Sequence, residues 1–215
     1  VPPFKYKTII FDFDGVLVDS VDIKGDAFCK MYEQYGAEII QEVYRYHKAN
    51  GGVTRSEKFK HFSKAFFNKE LEPDVLQSMC NRFSAIVTQM VVNAPWIRGA
   101  REFLTNNWQQ LNLHVASATP TNELLEIMEK RIMSHYFKLI KGSPSSKKNN
   151  VKEIISESSS NLSEVLMVGD AKTDFDAAWD NGIDFIGVGN DPNLKNTCSH
   201  VLEDLTQLEE YVSRH

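Results

Sequence analysis

The sequence predicts an α/β protein: a parallel sheet with helices on both faces, interrupted after its first strand by a block that is helical throughout. Three observations carry this. Apolar, β-prone runs recur at Thr8-Ile9-Ile10-Phe11, His114-Val115-Ala116-Ser117, Val165-Leu166-Met167-Val168 and Asp184-Phe185-Ile186-Gly187-Val188. Segments with helical apolar spacing separate the later runs, and such alternation implies parallel strands joined by right-handed crossovers. From about Val21 to Val92, by contrast, apolar residues recur at helical spacings with few β-branched runs.

Taken in order, Thr8 to Phe11 is the first strand. The helical block shows three apolar stripes: Phe28, Met31, Tyr32 and Tyr35; Phe59, Phe62, Phe66 and Phe67; and Val75, Leu76, Met79, Phe83, Ile86, Val87 and Met90 on a long helix beginning near Pro73. No polar group is interleaved at a ligand-like spacing, so the aromatic stripes read as helix-helix packing. From Pro95 onward the expected order is a helix over Ala100 to Trp108, the strand at His114, and a helix from Asn122 to Lys130. A short strand at Lys138-Leu139-Ile140 follows, then a helix from Asn150 to Ser156 and the strand at Val165, apolar throughout and therefore buried on both faces. A helix over Asp174 to Asp180, the strand at Asp184 and a closing helix from Leu205 to Val212 complete the chain. The polar stretch Ser156 to Asn161 is expected to be a loop.

At 215 residues, 42% hydrophobic and 25% charged, the chain is long and apolar enough for one large domain or a core domain with a smaller insert. A net charge of −5 gives no general attraction for nucleic acid or anionic lipid. Neither a bilayer-spanning apolar run nor a secretory signal pattern is present, so no membrane partner is expected. Cys29, Cys80 and Cys198 are odd in number and far apart, which suggests neither a disulfide framework nor a zinc pair and points to a reducing cytosol. The sequence leaves the oligomeric state open.

Chemistry is concentrated where strands end. In an open parallel sheet, ligands bind beyond the carboxyl ends of the strands. The first strand ends in Asp12-Phe13-Asp14-Gly15, the strand at His114 in Ser117 and Thr119, and the strand at Val165 in Gly169-Asp170-Ala171-Lys172-Thr173-Asp174. Strand side chains alternate, so Asp12 and Asp14 can point the same way, while Gly15 lets the chain turn. Two crowded carboxylates repel and raise each other's pKa unless a cation or proton separates them, which makes a bound metal the natural explanation. Each of these residues taken singly is also what a turn or a helix cap would use.

Together the motifs resemble the haloacid dehalogenase-like hydrolase superfamily, in its phosphatase branch with a helical cap inserted after the first motif. Phe11-Asp12-Phe13-Asp14-Gly15-Val16-Leu17-Val18-Asp19-Ser20 is similar to the family's first motif and Val115-Ala116-Ser117-Ala118-Thr119 to its second. A lysine of Ser145-Ser146-Lys147-Lys148 stands for the third, and Val168-Gly169-Asp170 with Asp174 for the fourth. Many relatives have Lys-Pro at the third motif; this chain has Lys147-Lys148, and Lys147 is the favoured choice.

The resemblance implies a Rossmann-like core over residues 1–19 and 93–215 and a helical cap domain over 20–92. It implies a phosphatase acting on a small phosphorylated metabolite, of the sugar phosphate or phosphoglycolate type. Asp12 would be the nucleophile that forms an aspartyl-phosphate, and Asp14 the general acid and base. Dehalogenating relatives lack an Asp at the second position, so Asp14 implies phosphoryl transfer. Ser117 and Lys147 would hold the transferring oxygens. Mg²⁺ would be bound by the Asp12 side chain, the Asp14 carbonyl and Asp170, with Asp174 as a supporting partner, a ligand or a helix cap. Asp19 and Ser20 are expected to cap the first cap helix, and Thr119 to sit at a helix entry or to support the reacting groups from behind.

Specificity would come from the cap, where the loop around Gly51-Gly52 offers His47, Asn50, Arg55 and Lys58 as donors to an anionic or hydroxylated substrate. The same stretch also fits an ordinary helix-loop-helix, since Thr54 and Glu57 have capping-box spacing. Two other functions use similar parts: a sugar phosphomutase of the β-phosphoglucomutase kind, and a phospho-accepting receiver domain. In a receiver the phosphoaccepting Asp follows an acidic pair on a later strand, whereas here the Asp-x-Asp comes first.

Overall fold

A computed structural model describes residues 4–214. Among the described residues, six parallel strands form one sheet in the order β3-β2-β1-β4-β5-β6. They are β1 (Thr8–Phe11), β2 (Asn112–Pro120), β3 (Leu139–Ser143), β4 (Val165–Gly169), β5 (Asp184–Val188) and β6 (Val201–Leu202). Alternation along the strands splits the core in two. Ile9, Phe11, Leu113, Val115, Leu166 and Val168 face one layer, packed with helices α5 (Ala100–Asn107), α6 (Thr121–Lys130) and α10 (Leu208–Arg214). Ile10, Ala116, Val165 and Met167 face the other, against α7 (Lys147–Ser158) and α8 (Lys172–Asp180). This is the parallel sheet covered on both faces that the alternating pattern predicts.

Between β1 and α5 run four helices, α1 (Val21–Tyr32), α2 (Ala37–Ala49), α3 (Arg55–Phe67) and α4 (Pro73–Val92). Their predicted stripes meet: Phe28, Tyr32, Phe59, Phe62 and Phe83 are buried and in ring contact with one another. The stripes fray at their ends, where Tyr35, Phe67, Val75 and Met90 are exposed. Pro73 opens α4 at its first turn, where its missing N–H costs no hydrogen bond.

Some expectations need correction. Helix α7 starts three residues early, because Ser146 caps it by accepting from Asn149 N–H, and it runs on to Ser158, so the expected loop from Ser156 is shorter. The closing helix is split into a 3-10 turn at Leu205–Gln207 and α10. Helix α9 (Pro192–Thr197) and strand β6 lay below what apolar periodicity can detect, being six and two residues long. Among the described residues, no helix is long and apolar enough to cross a membrane.

His114 on β2 is 1% exposed, and neither ring nitrogen finds a hydrogen-bond partner among the described residues. Burial, reinforced by Lys138, lowers its pKa from 6.5 to about 4. Between those values the unfolded chain takes up a proton that the folded chain refuses, so stability is lost as pH falls from 6.5 towards 4, by about 3 kcal/mol at most. His114→Leu is expected to raise stability by about 1–2 kcal/mol at pH 7, since it removes an unpaired polar ring, and to flatten that acid limb. Urea unfolding of both proteins across this pH range measures the effect.

Candidate active site

The sheet order reverses at its centre: from β1 the chain goes to β2 and β3 on one side, then to β4, β5 and β6 on the other. Such a switch point opens a crevice at the carboxyl ends. Register fixes what meets there. Phe11 lies opposite Val115 and Val168, and Asp12 N–H donates to Val168 O at 2.9 Å, so Asp12 emerges level with Gly169-Asp170.

After Asp12 the chain makes a tight turn in which Leu17 and Val18 N–H both donate to Phe13 O, with Val16, Leu17 and Val18 fully buried. Gly15 is required twice over. Its φ is +79°, and a Cβ there would sit 2.2 Å from Asp170 Oδ2.

The structure brings Asp12, Asp170 and Asp174 together: one carboxylate oxygen from each lies within 4.8 Å of the others. Burial, with neighbouring carboxylates, raises Asp12 to about 7 against the pull of Lys147, and burial and the other acids push Asp170 well above its ordinary value. Lys147, the first residue of α7, places Nζ 2.9 Å from Asp12 Oδ2 and also pairs with Asp174 Oδ1. Asn150 anchors this end of α7 by donating to Gly142 O at 3.0 Å. Burial disfavours the Lys147 ammonium, but the two carboxylates outweigh it and raise its pKa. Lys148 points elsewhere, pairing with Asp180 on the surface at 2.9 Å. Asp174 Oδ2 accepts from the Asp170 and Ala171 N–H groups at 3.1 Å each, so the same side chain shapes the loop and holds Lys147.

Asp14 stands apart from that cluster. Ser20 Oγ donates to its Oδ1 at 2.5 Å, Thr119 Oγ donates to its Oδ2 at 3.0 Å, and Lys24 Nζ on α1 forms an ion pair with it. Burial would raise Asp14, but Lys24 and these hydrogen bonds together hold it below its ordinary value. Ser20 thus takes Asp14 as its partner; it stands at the N-cap of α1 but makes no side-chain cap bond. Ser117 is 1% exposed, and its Oγ accepts from Thr119 N–H at 3.1 Å.

The helical block closes over this end of the sheet. His47, Arg55 and Lys58 line a cavity with Asp14, Lys24, Thr119 and Asp170, whose volume of about 40 Å³ holds only a few waters. Asn50 is turned away, donating to Tyr46 O at 2.9 Å beside a neighbouring cleft. Phe28 and Phe83 both pack the helices and line the cavity, so an aromatic stripe here has two uses. The Thr54–Glu57 capping box is formed as well, so capping and cavity lining coexist in one segment.

Three contributors escaped the sequence. Lys24 sits ten residues beyond Asp14, on a helix whose orientation decides what it meets. Arg55 forms a two-pronged pair with Glu123 on α6 at 2.5 and 2.7 Å, and Ser84 on α4 donates to the same carboxylate at 2.5 Å. This joins the helical block to the sheet layer, and both partners are only 7% exposed. Nothing in the local sequence around Glu123 or Ser84 marks them.

A family model described as haloacid dehalogenase-like hydrolase matches residues 9–188, and the chain belongs to that family. A phosphorylated carbohydrates phosphatase from Thermotoga maritima is 24% identical over 131 residues, 61% of this chain; the chain spans 58% of that curated relative's length. Two solved structures share the fold. A β-phosphoglucomutase from Clostridium difficile has a TM-score of 0.78 at 20% identity, covering 96% of this chain and 95% of that one. A predicted phosphoglycolate phosphatase from Haemophilus somnus has a TM-score of 0.75 at 18% identity, covering 96% and 98%. Family membership decides against the receiver-domain alternative.

Proposed function

We propose that the protein is a Mg²⁺-dependent phosphatase that hydrolyses a small phosphorylated metabolite, of the sugar phosphate or phosphoglycolate type, through an aspartyl-phosphate. The observation that carries this reading is the meeting of Asp12, Asp170, Asp174 and Lys147 in one buried cluster at the sheet's switch point. Residues 1–19 and 93–215 act as the core domain and 20–92 as a cap that must lift to admit the ester, given how little space the closed cavity leaves. Three free cysteines suit a reducing cytosol.

Asp12 attacks phosphorus in line, which divides one difficult hydrolysis into two easier steps. Lys147 steadies the nucleophile and offsets charge on the transferring oxygens, while the Ser117 hydroxyl proton, not used by its contact with Thr119 N–H, is free to donate to one of them. Asp14 gives a proton to the leaving oxygen and later takes one from the attacking water. In the closed geometry Lys24 keeps Asp14 as a carboxylate, the form suited to the second of these roles. Asp12 and Asp170 carboxylates with the Asp14 carbonyl are hard oxygen donors of the kind Mg²⁺ takes, and the burial and mutual repulsion that raise the Asp12 and Asp170 pKa values are what a divalent cation would offset. Bound there, Mg²⁺ supplies charge neutralisation at the phosphoryl oxygens.

Protein stripped with EDTA should release no phosphate from a panel of phosphorylated metabolites, and added Mg²⁺ should restore release. Ca²⁺, larger and more loosely coordinated, should not. Turnover undiminished in EDTA would overturn the metal's part; no hydrolysis of any panel member with Mg²⁺ would overturn the phosphatase reading. Isomer interconversion of a sugar phosphate that depends on a bisphosphate primer would instead favour the phosphomutase, in which the aspartyl-phosphate returns its phosphoryl group to a bound sugar.

A further inference from the structure

Three cationic side chains from the helical block line the cavity, and two of them are neutralised. Lys24 is paired with Asp14 and Arg55 with Glu123. Lys58 is 2% exposed, and among the described residues it has no carboxylate within ion-pair distance. Its one hydrogen-bond partner among the described residues is His47 Nδ1, at 2.9 Å. His47 Nε2 lies 3.0 Å from Val21 O, a carbonyl that can only accept, so the ring proton sits on Nε2 and Nδ1 presents a lone pair to the ammonium. That contact uses one of three N–H donors on Lys58 and leaves two without a partner among the described residues.

A lone ammonium in such a place is costly. Val21, Phe28, Val53 and Phe83 form the apolar part of the cavity wall, and Lys58 Nζ lies 5.6 Å from the Phe28 ring centroid, while Asp14 and Asp170 line the same cavity without forming an ion pair with Lys58. Burial lowers its pKa to about 7, with Lys24 adding to the fall and Asp14 and Asp170 opposing it. A neutral sugar hydroxyl would satisfy its hydrogen-bonding capacity but not its charge. An anion would do both, and in apolar surroundings the attraction is large.

We infer that Lys58, oriented by His47, is the receptor for a second anionic group on the substrate, a carboxylate or further phosphate distal to the phosphoryl group that reacts. This rests on the phosphatase reading and narrows it to phosphate esters that carry another negative charge. The neutral sugar monophosphates become poor candidates.

The test compares esters that differ only in that charge: phosphoglycolate against phosphoglycolamide, and a sugar bisphosphate against the corresponding monophosphate. Wild-type kcat/KM should favour the charged member of at least one pair by about 10- to 100-fold, the range of a charge-assisted hydrogen bond. The pair that shows the preference identifies carboxylate or phosphate. Lys58→Met should collapse that ratio to about threefold or less, and Lys58→Arg should keep most of it. Calorimetric titration of the Asp12→Asn protein with the same esters gives the ratio as relative Kd, independent of turnover. Circular dichroism of Lys58→Met and Lys58→Gln separates a changed ratio from a lost fold. A wild-type enzyme that hydrolyses both members equally, or a ratio that survives Lys58→Met, overturns the inference and leaves the phosphatase reading intact. Absence of hydrolysis throughout overturns the phosphatase reading, and the titration then decides the part played by Lys58.

Discussion

Asp12→Asn is expected to lower kcat by about four orders of magnitude or more, on the scale seen when other covalent nucleophiles are removed. The amide is nearly isosteric, so the contacts that place residue 12, its N–H to Val168 O and the acceptor bond from Phe13 N–H, can persist. What is lost is nucleophilicity and the negative charge opposite Lys147. Stability should change little or rise, because three crowded carboxylates become two. Rapid-quench measurement with a labelled phosphate ester should find acid-stable phosphoenzyme in wild type and none in Asp12→Asn. Hydrolysis by Asp12→Asn at near wild-type rate would remove Asp12 from the mechanism.

The second large effect separates two adjacent lysines. Lys147→Met should reduce kcat by about 10²- to 10³-fold, the loss typical of one electrostatic contact to a developing oxyanion, and should destabilise the protein by about 3–5 kcal/mol, because Asp12 and Asp174 are left buried without their cation. Lys148→Met should change stability by no more than about 0.5 kcal/mol and leave kcat unaltered, since its partner Asp180 is a surface residue. Steady-state kinetics and chemical denaturation of the two variants, run side by side, measure both effects. If the Lys148 variant were the inactive one, the assignment at α7 would be reversed. Adding Mg²⁺ should recover more stability in Lys147→Met than in wild type, because a divalent ion can take over part of the neutralisation.

The outcome for these lysines shows what sequence can and cannot reveal. The acids at strand ends were legible because apolar runs such as Ile9-Ile10-Phe11 and Leu166-Met167-Val168 stop abruptly at Asp12 and Gly169-Asp170, and a parallel sheet aligns those stops. Lys147 had a neighbour of identical chemistry, and only the Ser146 cap, which sets the phase of α7, tells which of the two turns inward. Lys24 and Glu123 were hidden because their roles depend on how helices from distant parts of the chain cross. Of the four donors expected near Gly51, three reach the cavity and Asn50 does not, a difference set by where α2 ends. The short α9 and β6 carry too few residues for any periodicity.

The central position of β1 shapes how this molecule must assemble. Thr8–Phe11 is made before either of its neighbours in the sheet, Asn112 onward and Val165 onward, so this strand waits until Val165 and its successors have been made before both its edges are covered. Closing loops of that length is slow, and an uncovered apolar strand invites association with other chains. Chains cut before β4 therefore lack the partner that completes the middle of the sheet, and productive folding belongs to the period after synthesis has passed residue 169.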